Sequence, residues 1–175
     1  EAVNLAQIMV GIGAGAGRET VAVVSSMEEP LGTVIGNSLE VLEALAVLSG
    51  RGDSRITNYC VFLAARMLML AEPGMNEETA VLRVQSLLRQ GVGLVKLQEF
   101  IIAQGGDGRV VADPALVGKA AQVREIHSHC AGYVTRIDSA ELGHVAVLLG
   151  AGRATKNAAI DLTAGMKLHC RCGDF

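Results

Sequence analysis

The chain has 175 residues, half of them hydrophobic but only 3% aromatic, with 21 Gly, 3 Pro and a net charge of −3. That length suits one domain or parts of two, and that composition excludes a disordered chain, which would lack the apolar content to form a core. With no basic stripe interleaved with aromatics, nucleic acid is not expected as a partner.

Taken in chain order, Glu1 to Gly11 carries Val3, Ala6, Ile8, Met9 and Val10 near helical spacing, which predicts a helix stopped by Gly13, Gly15 and Gly17. The sequence opens on Glu1, already inside that helix and not on Met, so it reads as a truncated one. Thr20 to Ser25 is apolar and β-branched, as in a buried parallel strand. A turn follows at Glu29-Pro30-Leu31-Gly32. Asn37 with Glu40 three residues on forms a capping-box pattern, so a helix is expected to Leu48, ending at Gly50.

Ile56 to Ala71 predicts an apolar helix buried on most sides. Asn76 caps another, with Glu77 and Glu78 placed favourably against its dipole. Gly91 and Gly93 break it, and Leu94 to Gln104 resumes it. Asp107 to Gln122 reads as a linker with one short helical piece. Arg124 to Asp138 suggests strand, turn at Ala131-Gly132, strand. Ser139 caps a helix ending near Gly150-Ala151-Gly152, and Met166 to Cys170 suggests a last strand. The fold class is α/β: the later portion of a mixed domain with helices around a parallel sheet, then the start of a smaller α+β domain. The expected divisions are 1–106, a linker at 107–122, and 123–175.

The longest apolar run, Val61 to Ala71, is broken by Arg66, so no bilayer span is expected. The opening residues do not read as a signal peptide. Cys60, Cys130, Cys170 and Cys172 are too few and too unevenly spaced for a disulfide framework. The expectation is a reduced, cytoplasmic protein.

Several motifs suggest chemistry. Gly11-Ile12-Gly13-Ala14-Gly15-Ala16-Gly17 resembles a phosphate loop, but that mechanism requires strand, glycines, helix, and the order here is helix, glycines, strand. A glycine-capped αβ loop is the plainer reading. Arg51-Gly52-Asp53 reads as a polar turn between helices, although it spells an adhesion tripeptide. His127, His129, Cys130, His169, Cys170 and Cys172 include zinc-type donors, yet their spacing matches no common finger. Gly165-Met166-Lys167-Leu168 resembles the hairpin of biotin and lipoyl carriers, whose lysine must stand at an exposed tip. Glu40 and Glu43 share a helix face and could bind a cation or do acid–base work. Glu40 has a local duty in the capping box; Glu43 has none that the sequence shows.

Val21-Ala22-Val23-Val24-Ser25-Ser26-Met27-Glu28-Glu29-Pro30-Leu31-Gly32, with Gly36 to Ala44, is similar to the pyrimidine- and thymidine-phosphorylase family. So are Ala103 to Asp107, Ala131 to Asp138, Leu149 to Ala154, and Ile160-Asp161 leading to Leu168-His169, in the family's order and spacing. Pro30-Leu31-Gly32 and Gln104 to Asp107 favour the broad pyrimidine-nucleoside branch over the strict thymidine branch.

The resemblance implies a cytoplasmic homodimer that cleaves uridine or thymidine with inorganic phosphate, giving a free base and a pentose 1-phosphate. It implies a potassium ion held by two backbone carbonyls around the Pro-Leu-Gly turn and one Glu on the next helix, at positions matching Leu31, Val34 and Glu43. Val34 stands where Ala is common. The other ligands come from the family's phosphate loop, so the ion braces that loop. That loop and the base-contacting Arg and Lys lie upstream of the matched positions, so no catalytic, phosphate-binding or base-binding residue is assigned here. Ser26 and Cys170-Arg171-Cys172 depart from common family residues. A phosphoribosyltransferase would not explain the blocks from Ala131 onward. The non-enzymatic alternative is a carrier or metal-binding module using Lys167 or the His/Cys cluster.

Overall fold

The structure, a computed structural model, describes residues 1–175. It contains six α-helices: α1 (Ala2–Gly15), α2 (Asn37–Leu48), α3 (Ser54–Ala71), α4 (Glu77–Arg89), α5 (Val92–Ala103) and α6 (Ser139–Leu148). Two short 3-10 helices, Gly108–Val111 and Pro114–Val117, lie between α5 and α6. Two-residue strands β1 (Val34–Ile35) and β2 (Met166–Lys167) pair antiparallel, Val34 opposite Lys167 and Ile35 opposite Met166. The chain is thus helix-rich with a small antiparallel sheet.

The residues gather into two compact units, one from Glu1–Ser26 and Asn58–Leu87, the other from Met27–Thr57 and Leu88–Phe175. In the first, Val61 and Ala65 of α3 and Ala80 and Val84 of α4 are buried. Their spacing of four places each pair on one helix face. Arg66 bonds Glu77 at 2.9 Å and Arg83 bonds Glu72 at 2.6 Å. Asn76 caps α4 as expected, its side-chain oxygen accepting from the Thr79 N–H at 2.8 Å.

Three expectations in this unit need correction. The first helix passes through Gly11 and Gly13 to Gly15, and the chain turns only at Gly17, with φ +70°. Thr20 to Ser25 forms no strand, because a strand needs a neighbour to complete its backbone bonds and the sole pairing is β1 with β2. The helix from Ile56 is not covered on most sides: only Val61 and Ala65 are buried, and Met67 is exposed. Its apolar surface exceeds what the rest of the chain covers.

The second unit is built around the N-terminus of α2. Gly36 is the residue before the first helical turn, and its N–H donates to Glu40 Oε1 at 3.1 Å. The acidic half of the expected capping box is therefore present, one residue early; the Asn37 amide instead donates to the Ala151 carbonyl at 2.9 Å. Ser38 is buried, donating through its N–H to the Leu162 carbonyl (3.0 Å) and through its hydroxyl to the Val117 carbonyl (3.1 Å). The Asp161 N–H reaches the Gly150 carbonyl at 2.9 Å. Segments far apart in sequence thus converge on α2. Gly36 and Gly165 allow this: a Cβ on Gly36 would lie 2.5 Å from the Ala164 carbonyl oxygen, and one on Gly165 would lie 2.3 Å from that of Ile35.

Other differences follow the same logic. The expected linker after Asp107 holds two 3-10 helices, each begun by an aspartate accepting a backbone N–H (Asp107 from Arg109, Asp113 from Ala115). Asp138, not Ser139, caps α6, accepting from Ala140 and Glu141 at 3.1 and 3.2 Å. Arg124 to Asp138 forms no hairpin. Only Val134 makes a ladder-like contact, donating to the Asp174 carbonyl and accepting from Gly173, both at 2.8 Å. The last strand stops at Lys167, since its partner β1 is two residues long.

Candidate cation-binding turn

Of the polar groups singled out in the sequence, Glu43 has the most developed surroundings. It lies on the second turn of α2 and leans over the Pro30 to Val34 segment. Its Oε1 accepts the Thr33 N–H at 2.7 Å and the Thr33 hydroxyl at 2.5 Å. Its Oε2 faces Gly32, where a Cβ would lie 1.9 Å from that oxygen. Gly32 is buried and its φ lies outside the left-handed region, so the constraint there is space, not backbone conformation. Glu43 therefore has a local partner that the sequence did not reveal.

The β1–β2 register directs the carbonyls of the turn. The Leu168 N–H donates to the Thr33 carbonyl at 2.7 Å, which makes Val34 and Lys167 a non-hydrogen-bonded pair. In such a pair the backbone groups point away from the partner strand, so the Val34 carbonyl is free of the ladder. The Leu31 carbonyl accepts from Arg171 Nη2 at 3.2 Å, and the Pro30 carbonyl accepts from Arg171 Nη1 at 2.5 Å. Beside them, Glu29 pairs with Arg55 and accepts the Cys172 N–H at 3.3 Å. Desolvation pushes the Glu29 carboxyl up, but the Cys172 N–H, Arg55 and Arg171 outweigh it and hold the group below its ordinary value.

Leu31 and Val34 therefore flank the Gly32–Thr33 pair that the Glu43 carboxylate contacts from α2. A carboxylate with backbone carbonyls is the donor chemistry of a hard cation. The set fits that chemistry, with the Leu31 oxygen shared with a guanidinium.

The other candidates are not assembled. No three His, Cys, Asp or Glu side chains come together where they could hold a metal, and all four cysteines are exposed thiols. Lys167 sits in β2 opposite Val34, not at a hairpin tip. Asp53 caps α3, accepting the Arg55 N–H at 3.0 Å, while Arg51 reaches Ser49 at 3.2 Å, so the tripeptide is a helix-start turn. A cleft of about 390 Å³ in the first unit is lined by Val21, Val23, Phe62, Arg66, Met69 and Met75. Its one guanidinium is occupied: Arg66 pairs with Glu77 and lies 4.9 Å from the centre of the Phe62 ring.

Residues 133–175 match the family described as Pyrimidine nucleoside phosphorylase C-terminal domain. The pyrimidine-nucleoside phosphorylase of Geobacillus stearothermophilus is 40% identical over 174 residues, 99% of this chain and 40% of that protein. Over almost its whole length the chain is thus similar to pyrimidine-nucleoside phosphorylases. The Bacillus subtilis protein of that name gives the same identity and coverage, and that of Staphylococcus epidermidis is 37% identical over 174 residues. The chain spans about 40% of the length of these curated relatives. The blocks at Gly36 to Ala44, Leu149 to Ala154 and Ile160-Asp161, set apart in sequence, meet at the α2 N-terminus through Asn37, Ser38 and Asp161.

Sequence reasoning missed Gly32, Thr33, Glu29 and the role of Arg171. Gly32 lies in the Pro30-Leu31-Gly32 motif, but a glycine's need for space is visible only once its neighbour is placed. Arg171 carried a weak signal as a departure from the family pattern, with nothing to say where it points.

Proposed function

We propose that this chain is part of a pyrimidine-nucleoside phosphorylase that cleaves uridine or thymidine with inorganic phosphate, and that its contribution is a cation-braced turn rather than substrate contacts. The supporting observation is the 40% identity sustained over 174 residues to proteins of that name. Phosphorolysis requires an oxocarbenium-like sugar to be stabilised while phosphate is positioned at the anomeric carbon. In this reading residues 1–106 belong to the phosphate-binding α/β domain, 107–122 connect, and 123–175 open the C-terminal α+β domain. A cytoplasmic homodimer and broad pyrimidine specificity belong to the same reading.

Potassium would be held by the Leu31 and Val34 carbonyls and the Glu43 carboxylate, chiefly through Oε2. Bound there, it supplies a fixed positive charge between this turn and a phosphate-binding loop. The protein's own residues prepare the site. Thr33 orients the carboxylate through Oε1, Gly32 leaves room for Oε2, and the strand register turns the Val34 carbonyl outward.

The division of labour is tested with the purified 175-residue polypeptide, assayed for uracil release from uridine and phosphate. No release above a buffer control is expected. Measurable turnover would overturn it, because the substrate-binding groups would then have to lie within these residues.

A further inference from the structure

We infer that Arg171 is a built-in cation for the Pro30–Leu31 turn: its guanidinium braces the two carbonyls from within the chain and competes with a monovalent cation for the Leu31 oxygen. The bracing follows from the contacts alone. The competition rests on the reading of Leu31, Val34 and Glu43 as cation ligands.

Arg171 is half-buried, and its two terminal nitrogens each donate to a different carbonyl, Nη1 to Pro30 at 2.5 Å and Nη2 to Leu31 at 3.2 Å. The planar fork of a guanidinium suits two adjacent acceptors, which a lysine ammonium matches less well. The side chain is delivered from a fixed turn. The Arg171 N–H donates to Asp174 Oδ2 at 2.8 Å, and the Asp174 N–H returns to the Arg171 carbonyl at 3.1 Å. Gly173 takes φ +95° between them, a conformation that favours glycine. Gly173 and Asp174 are bonded to Val134, and Tyr133 packs edge-on against Phe175 with ring centres 5.1 Å apart. Next to Arg171, the Cys172 N–H holds Glu29, which also pairs with Arg55. Arg171 is thus anchored on both sides of its attachment to the turn.

A monovalent cation on the Leu31 oxygen would lie within a few ångströms of this guanidinium. Two positive charges that close, drawn to the same carbonyl dipoles, oppose each other. The backbone at Pro30–Leu31 is therefore held in place before any ion binds, and the ion binds more weakly than a turn lacking Arg171 would allow. Arg171 is a positioning residue, acting on the turn and touching no substrate.

The experiment compares the intact protein with Arg171→Met and Arg171→Lys. Met keeps the length of the stem without the charge, and Lys keeps the charge without the fork. Amide hydrogen exchange is followed across residues 29–35, without potassium and then through a potassium chloride titration balanced with N-methylglucamine chloride to constant ionic strength. Without potassium, Arg171→Met is expected to speed exchange in this segment at least tenfold, with Arg171→Lys intermediate. In the titration, Arg171→Met is expected to be protected at potassium concentrations at least tenfold lower than the wild type needs. Unchanged exchange in Arg171→Met without potassium would overturn the brace. Equal potassium midpoints in wild type and Arg171→Met would overturn the competition while leaving the cation site standing. Faster exchange with no potassium response in any protein would sustain the brace and defeat the reading of Leu31, Val34 and Glu43 as ligands.

Discussion

The contact between Gly32 and Glu43 can be tested by adding a single methyl group. In Gly32→Ala the new Cβ would stand 1.9 Å from Glu43 Oε2 and 2.8 Å from its Cδ, neither of which can be tolerated. The backbone at Gly32 is not left-handed, so alanine costs nothing in conformation. The obstacle is the end of a flexible side chain, so Glu43 will swing away. What is lost is then the pair of bonds from Thr33, at 2.7 and 2.5 Å, both to a charged acceptor. Bonds to charged groups contribute roughly 1.5–3 kcal/mol each when partly shielded, and water recovers some of that, so the net loss should be about 2–4 kcal/mol. At 1.4 kcal/mol per decade, the Thr33 amide should exchange roughly 30- to 700-fold faster. Exchange mass spectrometry on the peptide covering residues 27–36 of the intact protein reads this directly. The decisive control is a double-mutant cycle with Glu43→Ala, which removes the same bonds without a clash. In that background Gly32→Ala should add less than about 0.5 kcal/mol, since its effect acts entirely through Glu43. Additive effects would refute the reasoning and place the cost of Gly32→Ala elsewhere.

Glu43→Gln should leave the turn folded, because an amide oxygen can still accept from Thr33, while potassium affinity falls and more potassium is needed for phosphorolysis in the complete enzyme. Glu40→Gln, which only caps the Gly36 N–H, should leave the potassium response unchanged; equal responses from the two variants would remove the ion site. The Asp107 carboxyl is pulled to about 2, first by the Arg109 side chain and then by its backbone N–H. Its folded value lies below the ordinary 3.8, so the stabilisation is complete above about pH 4 and lost as pH falls toward 2. The stability difference between wild type and Asp107→Asn should therefore shrink across that interval and weaken with salt, the pair being exposed. Finally, Val3, Leu5, Ile8, Met9 and Ile12 of α1 are all exposed, so the 175-residue polypeptide alone should melt broadly in calorimetry. A sharp two-state transition from a monomer would contradict this.

The features that the sequence determined by itself are those whose causes lie within one or two helical turns. Asn76 caps α4 and Gly91, at φ +70°, separates α4 from α5, because a cap or a left-handed break acts on its immediate neighbours. Glu40 was legible as a capping carboxylate for the same reason, its partner Gly36 being four residues away. The position of the candidate turn was legible too, through a run of residues resembling a family motif.

Strands were read poorly. The β-branched run at Thr20 to Ser25 pairs with no strand, and a strand's existence depends on a neighbour that no local pattern names. What surrounds Glu43 was decided by tertiary structure alone. Thr33 lies ten residues from it and Arg171 lies 140 from Leu31, separations across which side-chain periodicity carries no information. Only when the chain closes β2 onto β1, with the glycine backbones of Gly36 and Gly165 in near contact, does Arg171 meet the turn and the Val34 carbonyl turn outward. Local propensity could place the helices, but the site required knowing which distant backbone would occupy the space left by the glycines.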